Sequence, residues 1–125
     1  MTGMADSTHR HHAIDYVEVT VTDLDRATRF YGEAFGWEFN DYGPAYAGIR
    51  SASGDGEVGG LRPDAEGPRP GGPLVLLFSA DLDRTVAAVE EAGGQVVQGP
   101  YEFPGGRRFH FRDPSGNELG VWAEA

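Results

Sequence analysis

Apolar and polar residues alternate strictly along residues 14–21, which is the period of a strand with one buried face. The three valines of this stretch lie on one side of the predicted strand, whereas Tyr16 and Glu18 lie on the other. From residue 24 to residue 35 the period changes, because apolar residues recur every three or four positions as on one face of a helix. The pattern therefore predicts a strand whose valine face is covered by the helix that follows it.

The same succession begins again in the second half of the chain. The segment DLDRATRFYGEAFGWEF (residues 23–39) and the segment DLDRTVAAVEEAGGQVV (residues 81–97) are identical at seven of 17 aligned positions. Further along, GEVGGL (residues 56–61) aligns with GNELGV (residues 116–121). An internal repeat of this length indicates two copies of one structural unit.

Each copy reads as strand, helix and three further strands. An Asp cap begins each predicted helix, at Asp23 and Asp81, and Gly36 and Gly93-Gly94 end them. In the second copy the strands are predicted at 74–80 and at about 95–98, 107–112 and 118–123.

We therefore predict an α+β fold with two βαβββ modules in tandem, which form a curved mixed sheet around a cleft. The cleft follows because the helix covers one face of each sheet and leaves the other to line a pocket. Tyr16 and Glu18 are expected to lie in this cleft. The predicted organisation is a flexible tail at 1–12, the first module at 13–62, a Gly/Pro-rich linker at 63–73 and the second module at 74–125.

Composition narrows the partners that this chain can have. The 125 residues carry a net charge of −10, no cysteine and no lysine. Nucleic-acid binding requires a basic face, so the acidic balance argues against it; the charge suits a cationic ligand or serves solubility. No apolar run approaches the roughly 20 residues of a membrane span, and the first residues lack the apolar centre of a signal peptide. We expect a cytoplasmic protein with no nucleic-acid or membrane partner.

Three segments of the sequence resemble the vicinal oxygen chelate superfamily, which includes glyoxalase I, bleomycin-resistance proteins and extradiol dioxygenases. They are DYVEVTVTDLDRATRFYGEAFGW in the first half, and SADLDRTVAAVEEAGGQVVQGP and RFHFRDPSGNELGVW in the second. The resemblance implies paired βαβββ modules, a homodimer and a central site that holds a divalent metal in the enzymes of the superfamily.

The sequence departs from this resemblance at the four positions where metal-binding members carry ligands. Those positions hold Tyr16, Gly60, Leu74 and Gly120. Leucine and glycine side chains provide no donor atoms for a metal ion. We therefore expect no divalent metal and no other cofactor. The two glycines either make room for a larger ligand or meet a backbone requirement such as a bulge.

Glu18 is the first candidate for chemistry, since a carboxylate that faces an enclosed cleft must be paired, bind a ligand or act as a base. The partner in a structural ion pair would be an arginine such as Arg50, Arg62 or Arg108. His110 is the second candidate, because it can form an acid–base couple with Glu18 or Glu118 or hold a displaced metal ion with Glu18. The structural alternative is a solvated or hydrogen-bonded histidine. Glu18 and His110 are thus the candidate catalytic residues.

The candidate ligand-binding residues extend along the predicted cleft. Tyr16 and Trp122 offer aromatic rings to a ligand, or pack structurally. Arg108 and His110 alternate with two phenylalanines that should lie under the helix, so both are expected to face the cleft or solvent. The full candidate set is Tyr16, Glu18, Tyr46, Gly60, Arg108, His110, Glu118, Gly120 and Trp122.

Three functions fit these observations. The first is the binding of a small organic molecule in a metal-free cleft, in the manner of the bleomycin-resistance proteins that the sequence resembles. The second is a metal-independent or displaced-metal lyase or isomerase that uses Glu18 as its base. The third is an association module whose cleft is filled by its own side chains. No nucleophilic-serine motif and no phosphate-binding loop suggests other chemistry.

Overall fold

The structure, a computed structural model, describes residues 9–125. Residues 1–8 of the predicted tail therefore lie outside the described residues. The elements in chain order are β1 (Val17–Val21), α1 (Leu24–Phe35), β2 (Phe39–Asp41), β3 (Ala47–Arg50), β4 (Glu57–Pro63), β5 (Leu76–Phe78), α2 (Leu82–Glu91), β6 (Gln95–Phe103), β7 (Gly106–Arg112) and β8 (Glu118–Glu124).

The strands form two four-stranded sheets with the same topology, in the orders β1-β4-β3-β2 and β5-β8-β7-β6. In each sheet the first strand runs parallel to the last strand of its module, and the other neighbours are antiparallel. This confirms the α+β fold with tandem βαβββ modules. The sheets remain separate, since within residues 9–125 no ladder joins β1 to β5.

Both helices begin and end where the sequence predicts. The Asp23 carboxylate accepts from the backbone N–H of Arg26 at the start of α1, and Asp81 does the same for Arg84 at the start of α2. Such caps satisfy backbone donors that have no partner within the helix. Gly36 ends α1 in the left-handed conformation, with φ of 73°, which glycine adopts without steric cost.

The two modules share one hydrophobic core. Phe30 of α1 lies 6.0 Å from Phe111 of β7 between ring centroids, so the first helix packs on the second sheet. A Cβ atom at Gly94 would lie 2.9 Å from the Phe30 ring, which shows how closely the end of α2 approaches α1. The core includes Val21, Leu61, Val89, Phe109 and Val121, each completely buried.

The turn between β7 and β8 fastens the second module to the first. Asp113 accepts hydrogen bonds from the backbone N–H groups of Ser115 and Asn117, both at 2.9 Å. The Ser115 hydroxyl then accepts from the Thr22 N–H at 2.8 Å, and the Asn117 amide donates to the Thr20 carbonyl at 2.7 Å. The Asp-Pro-Ser-Gly-Asn segment thus binds the end of β1.

The strands differ from the predicted ones in three places. Tyr16 precedes β1 rather than lying within it, and β5 is limited to three residues of the apolar run at 74–80. Strand β6 continues to Phe103, beyond the Gly99–Pro100 pair that suggested its end. Residues 64–75 form neither helix nor strand.

Candidate functional site

Each sheet has one face covered by the helices and a second face turned away from them, which we call the open face. Glu18, Gly60 and Gly48 are in register across three strands of the first sheet and lie on its open face. Gly120 and His110 are in register on the open face of the second sheet. Side chains of opposite parity, such as Leu61 and Phe109, are buried in the core.

A cluster of phenol and carboxylate groups lies on the open face of the first sheet. Glu57 accepts hydrogen bonds from Tyr42, from Tyr16 at 3.2 Å and from the Asn40 amide at 2.9 Å. The Tyr16 and Tyr46 hydroxyls are 2.8 Å apart. We call these five residues, Tyr16, Asn40, Tyr42, Tyr46 and Glu57, the tyrosine cluster.

Glycines form the floor of the tyrosine cluster. A Cβ atom at Gly48 would lie 2.1 Å from the Glu57 carboxylate, and one at Gly60 would lie 1.9 Å from the Tyr46 hydroxyl. The space above each glycine is therefore filled by a side chain of the same module. At Gly60 the missing side chain makes room for the Tyr46 hydroxyl.

The hydrogen bonds set the protonation states in this cluster. Donation by Tyr42, and then by Asn40, lowers the pKa of Glu57, so this carboxyl is ionised over the neutral range. Desolvation and the neighbouring Tyr16 hydroxyl raise the pKa of Tyr46, which stays protonated. The cluster thus combines one carboxylate with neutral phenols.

Glu18 lies beside the tyrosine cluster and forms an ion pair. Its carboxylate is 3.6 Å from Nε of Arg62, and 47% of its side chain is exposed. Arg62 also approaches Asp64 at 3.7 Å and donates to the Thr20 hydroxyl at 3.3 Å. Of the arginines suggested as partners from the sequence, the structure places Arg62 against Glu18.

The open face of the second sheet carries a chain of four polar side chains, which we call the Arg108 chain. The Glu118 carboxylate lies 2.8 Å from Nδ1 of His110, and Nε2 of His110 lies 3.0 Å from the Tyr101 hydroxyl. Nε of Arg108 donates to the same hydroxyl. His110 is only 7% exposed, so these bonds satisfy a buried imidazole.

A bulge in β6 brings Tyr101 into this chain. Gln98 pairs with His110 and Tyr101 pairs with Arg108, so three steps along β6 match two steps along β7. The additional residue changes the direction in which the following side chains point. Gly99 takes a positive φ of 85° within the bulge, and a Cβ atom there would lie 2.8 Å from the Arg108 carbonyl.

Next to the Arg108 chain, aromatic rings lie exposed on the same face. The rings of Phe78 and Trp122 meet edge to face with centroids 5.1 Å apart, and Phe103 approaches Trp122 at 6.3 Å. Phe78 is 55% exposed and Leu76, which covers Gly120, is 41% exposed. We call Leu76, Phe78, Phe103 and Trp122 the aromatic patch.

A cavity of about 840 Å³ lies between β1 of the first sheet and the residues that precede β5 and begin β8 in the second module. Glu18 lines it from the first module, and Leu74 and Glu118 line it from the second. The segment that connects the modules forms another wall, with residues 68–73. Two carboxylates predicted to share a cleft therefore border one space, although each is paired elsewhere.

The predicted site residues thus fall into two groups. Tyr16, Glu18, Tyr46 and Gly60 lie together on the first sheet; Arg108, His110, Glu118, Gly120 and Trp122 lie together on the second. Within residues 9–125 no hydrogen bond or ring contact joins the groups. The sequence did not indicate Asn40, Tyr42, Glu57 or Tyr101, because a register shift in the first sheet and the bulge in β6 bring Glu57 and Tyr101 to their partners.

The four positions that the resemblance equates with metal ligands do not fit a metal ion. The Tyr16 hydroxyl is engaged with Tyr46 and Glu57, while Gly60 and Gly120 lie beneath Tyr46 and Leu76. Leu74 offers no donor atom. Among the described residues, no group of three or more His, Cys, Asp or Glu side chains could hold a metal ion.

Comparison with known proteins gives the context for this site. "Putative glyoxylase CFP32" of Mycobacterium bovis is 31% identical over 123 residues, which are 93% of this chain and 47% of that protein. The chain thus spans about half the length of this curated relative. "Virulence protein STM3117" of Salmonella typhimurium is 28% identical and is covered over 94% of both chains.

Solved structures show the same fold. The glyoxalase-related enzyme from Fulvimarina pelagi superposes with a TM-score of 0.77 at 21% identity, over 90% of this chain and 88% of the other. TnmS3, an antibiotic binding protein from Streptomyces, superposes with a TM-score of 0.68 at 28% identity, over 94% and 100%.

Two further findings complete the comparison. None of the helices that the structure describes is long and apolar enough to cross a membrane. The family model for the Glyoxalase/Bleomycin resistance protein/Dioxygenase superfamily matches residues 13–121, which is most of the chain. By this match and by its tandem βαβββ modules, the chain belongs to the Glyoxalase/Bleomycin resistance protein/Dioxygenase superfamily.

Proposed function

We propose that this protein binds a flat, aromatic small molecule on the open faces of its sheets, without a metal or another cofactor. The aromatic patch is the observation that carries the proposal, because it leaves Phe78 more than half exposed beside Trp122. Large apolar side chains clustered on a surface usually mark a binding site. Their rings offer edges and faces on which a planar ligand can stack.

The similarity to TnmS3 supports a binding function. That protein is an antibiotic binding protein, and it matches this chain over nearly its full length at 28% identity. The donor set at the four ligand positions supports a metal-free mode of binding, since Gly60, Leu74 and Gly120 supply no ligand atoms.

A second copy of the chain would complete the proposed site as a homodimer. The tyrosine cluster presents the Glu57 carboxylate with phenol groups, and the Arg108 chain presents a guanidinium beside the Glu118 carboxylate, so each open face offers groups that can pair with the other. Apolar side chains stay exposed on both faces, namely Tyr16, Tyr42, Leu74, Leu76 and Phe78. Light scattering during gel filtration tests this assembly, which requires twice the mass of one chain.

Ligand screening with a matched pair of variants tests the binding function. A panel of flat aromatic compounds should contain members that raise the melting temperature, since a ligand that binds the folded state stabilises it. Trp122→Ala should weaken such binding about tenfold or more, in line with the usual effect of removing a central aromatic contact. Ile14→Ala is the control, because Ile14 is 93% exposed and lies outside both sheets.

Two results would overturn the proposal. One is a panel in which no compound stabilises the protein. The other is a Trp122→Ala variant that binds as tightly as the Ile14→Ala control.

Proton transfer is the second candidate function, and one observation favours it. Glu118, His110 and Tyr101 form a continuous hydrogen-bonded chain. In such an arrangement a carboxylate orients an imidazole, and the imidazole exchanges a proton with the phenol. Glu18 is less suited to act as the base because it is exposed and paired with Arg62. Deuterium exchange into a bound ligand, lost in His110→Gln, would establish this activity; recovery of every ligand unexchanged would exclude it.

A further inference from the structure

We infer that the ligand carries a planar oxyanion on its aromatic ring, as in an aromatic carboxylate, and that Arg108 binds this group beside the aromatic patch. The inference rests on the proposed binding function and adds the charge of the ligand to it. An anionic ligand differs from the cationic one that the net charge of −10 favours.

The hydrogen-bonding inventory of Arg108 leaves most of its donors available. A guanidinium has five N–H groups, and the one on Nε is used by the Tyr101 hydroxyl. Within residues 9–125, no carboxylate lies within ion-pair distance of Arg108, and Arg112 on the same face of β7 likewise forms no ion pair. The four N–H groups on the terminal nitrogens are therefore free to bind a ligand.

The surroundings hold this guanidinium in one place. Its central carbon lies 5.5 Å from the centroid of the Tyr101 ring and 5.3 Å from that of Phe103. Such cation–π contacts favour the charged group without using its N–H donors. The Nε–H bond to Tyr101 fixes the rotation of the planar group, which leaves the terminal nitrogens as a preorganised fork.

The rest of the Arg108 chain fixes Tyr101 in turn. Its hydroxyl is held by buried His110, which is itself held by Glu118. Of the two β8 carboxylates on this face, Glu118 is bonded to the imidazole, and Glu124 forms no ion pair with Arg108 among the described residues. Tyr101, His110 and Glu118 are thus positioning residues that act through Arg108.

A planar oxyanion matches both features of this surface. A carboxylate accepts two parallel hydrogen bonds from an arginine fork, and this pairing is stronger than a neutral hydrogen bond. Phe103 contacts both Arg108 and Trp122, so a ring attached to the carboxylate would extend directly over the aromatic patch. The distributed negative charge of the chain opposes this only weakly, because physiological salt screens charges beyond about 8 Å.

Three probes with the same ring system test the inference: 2-naphthoate, methyl 2-naphthoate and 2-naphthylmethylammonium. Calorimetric titration at physiological salt should give the anion an affinity about tenfold or more above the neutral ester, the usual effect of a hydrogen bond to a charged group. The ammonium probe should bind more weakly than the ester. Arg108→Ala should abolish the preference for the anion, and Arg108→Lys should retain part of it because charge remains without the planar fork.

Arg107→Ala is the matched control. Arg107 is the neighbouring residue on the opposite face of β7, where it pairs with Asp83 of α2 at 3.4 Å. Removing it changes the net charge by the same amount and should leave the preference for the anion intact. Tyr101→Phe keeps the ring beside Arg108 but removes the hydroxyl, so it should reduce the preference for the anion while the affinity for the ester stays the same.

The outcomes separate this inference from the function on which it rests. If the ester or the ammonium probe binds as tightly as naphthoate, or if Arg108→Ala keeps the preference, the inference is wrong and the binding of flat molecules stands. If none of the three probes binds, the inference fails, and the panel of flat aromatic compounds decides the binding function separately. Circular dichroism of each variant verifies that a lost preference does not reflect unfolding.

Discussion

The hydroxyl of Tyr31, on the helix of the first module, donates a 2.8 Å hydrogen bond to Asp113 of the second module. Both residues are at least 95% buried. Asp113 also organises the turn that binds the end of β1. This single bond therefore joins the core of one module to the polar turn of the other.

Removing this hydroxyl should destabilise the whole protein. We expect Tyr31→Phe to lower the free energy of unfolding by about 1.5–3 kcal/mol, as for a buried hydrogen bond to a charged acceptor. Urea unfolding followed by circular dichroism measures the loss. Tyr42→Phe is the control: Tyr42 also donates to a carboxylate but is 59% exposed, so its loss should be smaller. Equal losses in the two variants would contradict this role for Tyr31.

Stability should fall at alkaline pH, and Tyr31 should account for part of the fall. Burial, and then the nearby Asp113 charge, raises the pKa of Tyr31 well above its ordinary value of 10.0. Above pH 10 the unfolded chain loses this proton while the folded chain keeps it. The free energy of unfolding is then fully retained below pH 10 and decreases by up to about 1.4 kcal/mol per pH unit above it.

Unfolding curves at pH 8, 10 and 11 measure this dependence. Tyr31→Phe should show a shallower fall above pH 10 than the unchanged protein, because it has no phenol at this position. If the two slopes are equal, the shift at Tyr31 does not contribute.

Two adjacent glycines should differ sharply in their tolerance of a methyl group. A Cβ atom at Gly59 would lie 2.3 Å from the backbone oxygen of Val17, within the pairing of β1 and β4. A Cβ atom at Gly60 would meet the end of the Tyr46 side chain, which can rotate away. Gly59→Ala should therefore cost about 2–4 kcal/mol and Gly60→Ala about 1 kcal/mol. Thermal unfolding ranks them, and the reverse order would refute the explanation.

Asn117 should stabilise the protein through the hydrogen bond that its amide donates to the first module. Its amide donates to the Thr20 carbonyl and to Asp113, so Asn117→Ala removes one bond across the junction and one within the turn. We expect a loss of about 1–3 kcal/mol in chemical unfolding, since partly buried acceptors are left unsatisfied. Asn40→Ala, which removes one bond to Glu57 within the first module, should cost less.

The fold could be predicted from the sequence because the signals that indicate it lie within short segments and occur in both halves of the chain. The Asp caps, the helical period and the repeated segments each indicate the same unit, and they need no knowledge of distant contacts. The end of β6 was placed too early, because a glycine and a proline in succession usually end a strand. In the structure Gly99 and Pro100 lie at a bulge, and pairing with β7 continues to Phe103.

The site was less predictable, because its members meet through register rather than through sequence spacing. Glu57 reaches Tyr16 and Tyr42 from a strand that follows a register shift at Ile49 and Arg50. Tyr101 reaches His110 in a similar way through the bulge in β6. The sequence offered Glu18 and Glu118 as alternative partners of His110, and the structure places Glu118 at 2.8 Å from its ring. Alternation along β7 and β8 puts His110 and Glu118 on one face.

The packing of Phe30 on Phe111 also limits how this duplicated chain can change. Neither half closes an interior by itself, because each supplies one wall of a core that the other completes. A polypeptide cut to residues 13–62 would present its aromatic helix face to water and associate with whatever could cover it. The two halves of a duplication such as this one cannot be exchanged freely. A half taken from a related protein must supply a surface against which Phe30 can pack, so a substitution in one half constrains the residues that the other half can carry.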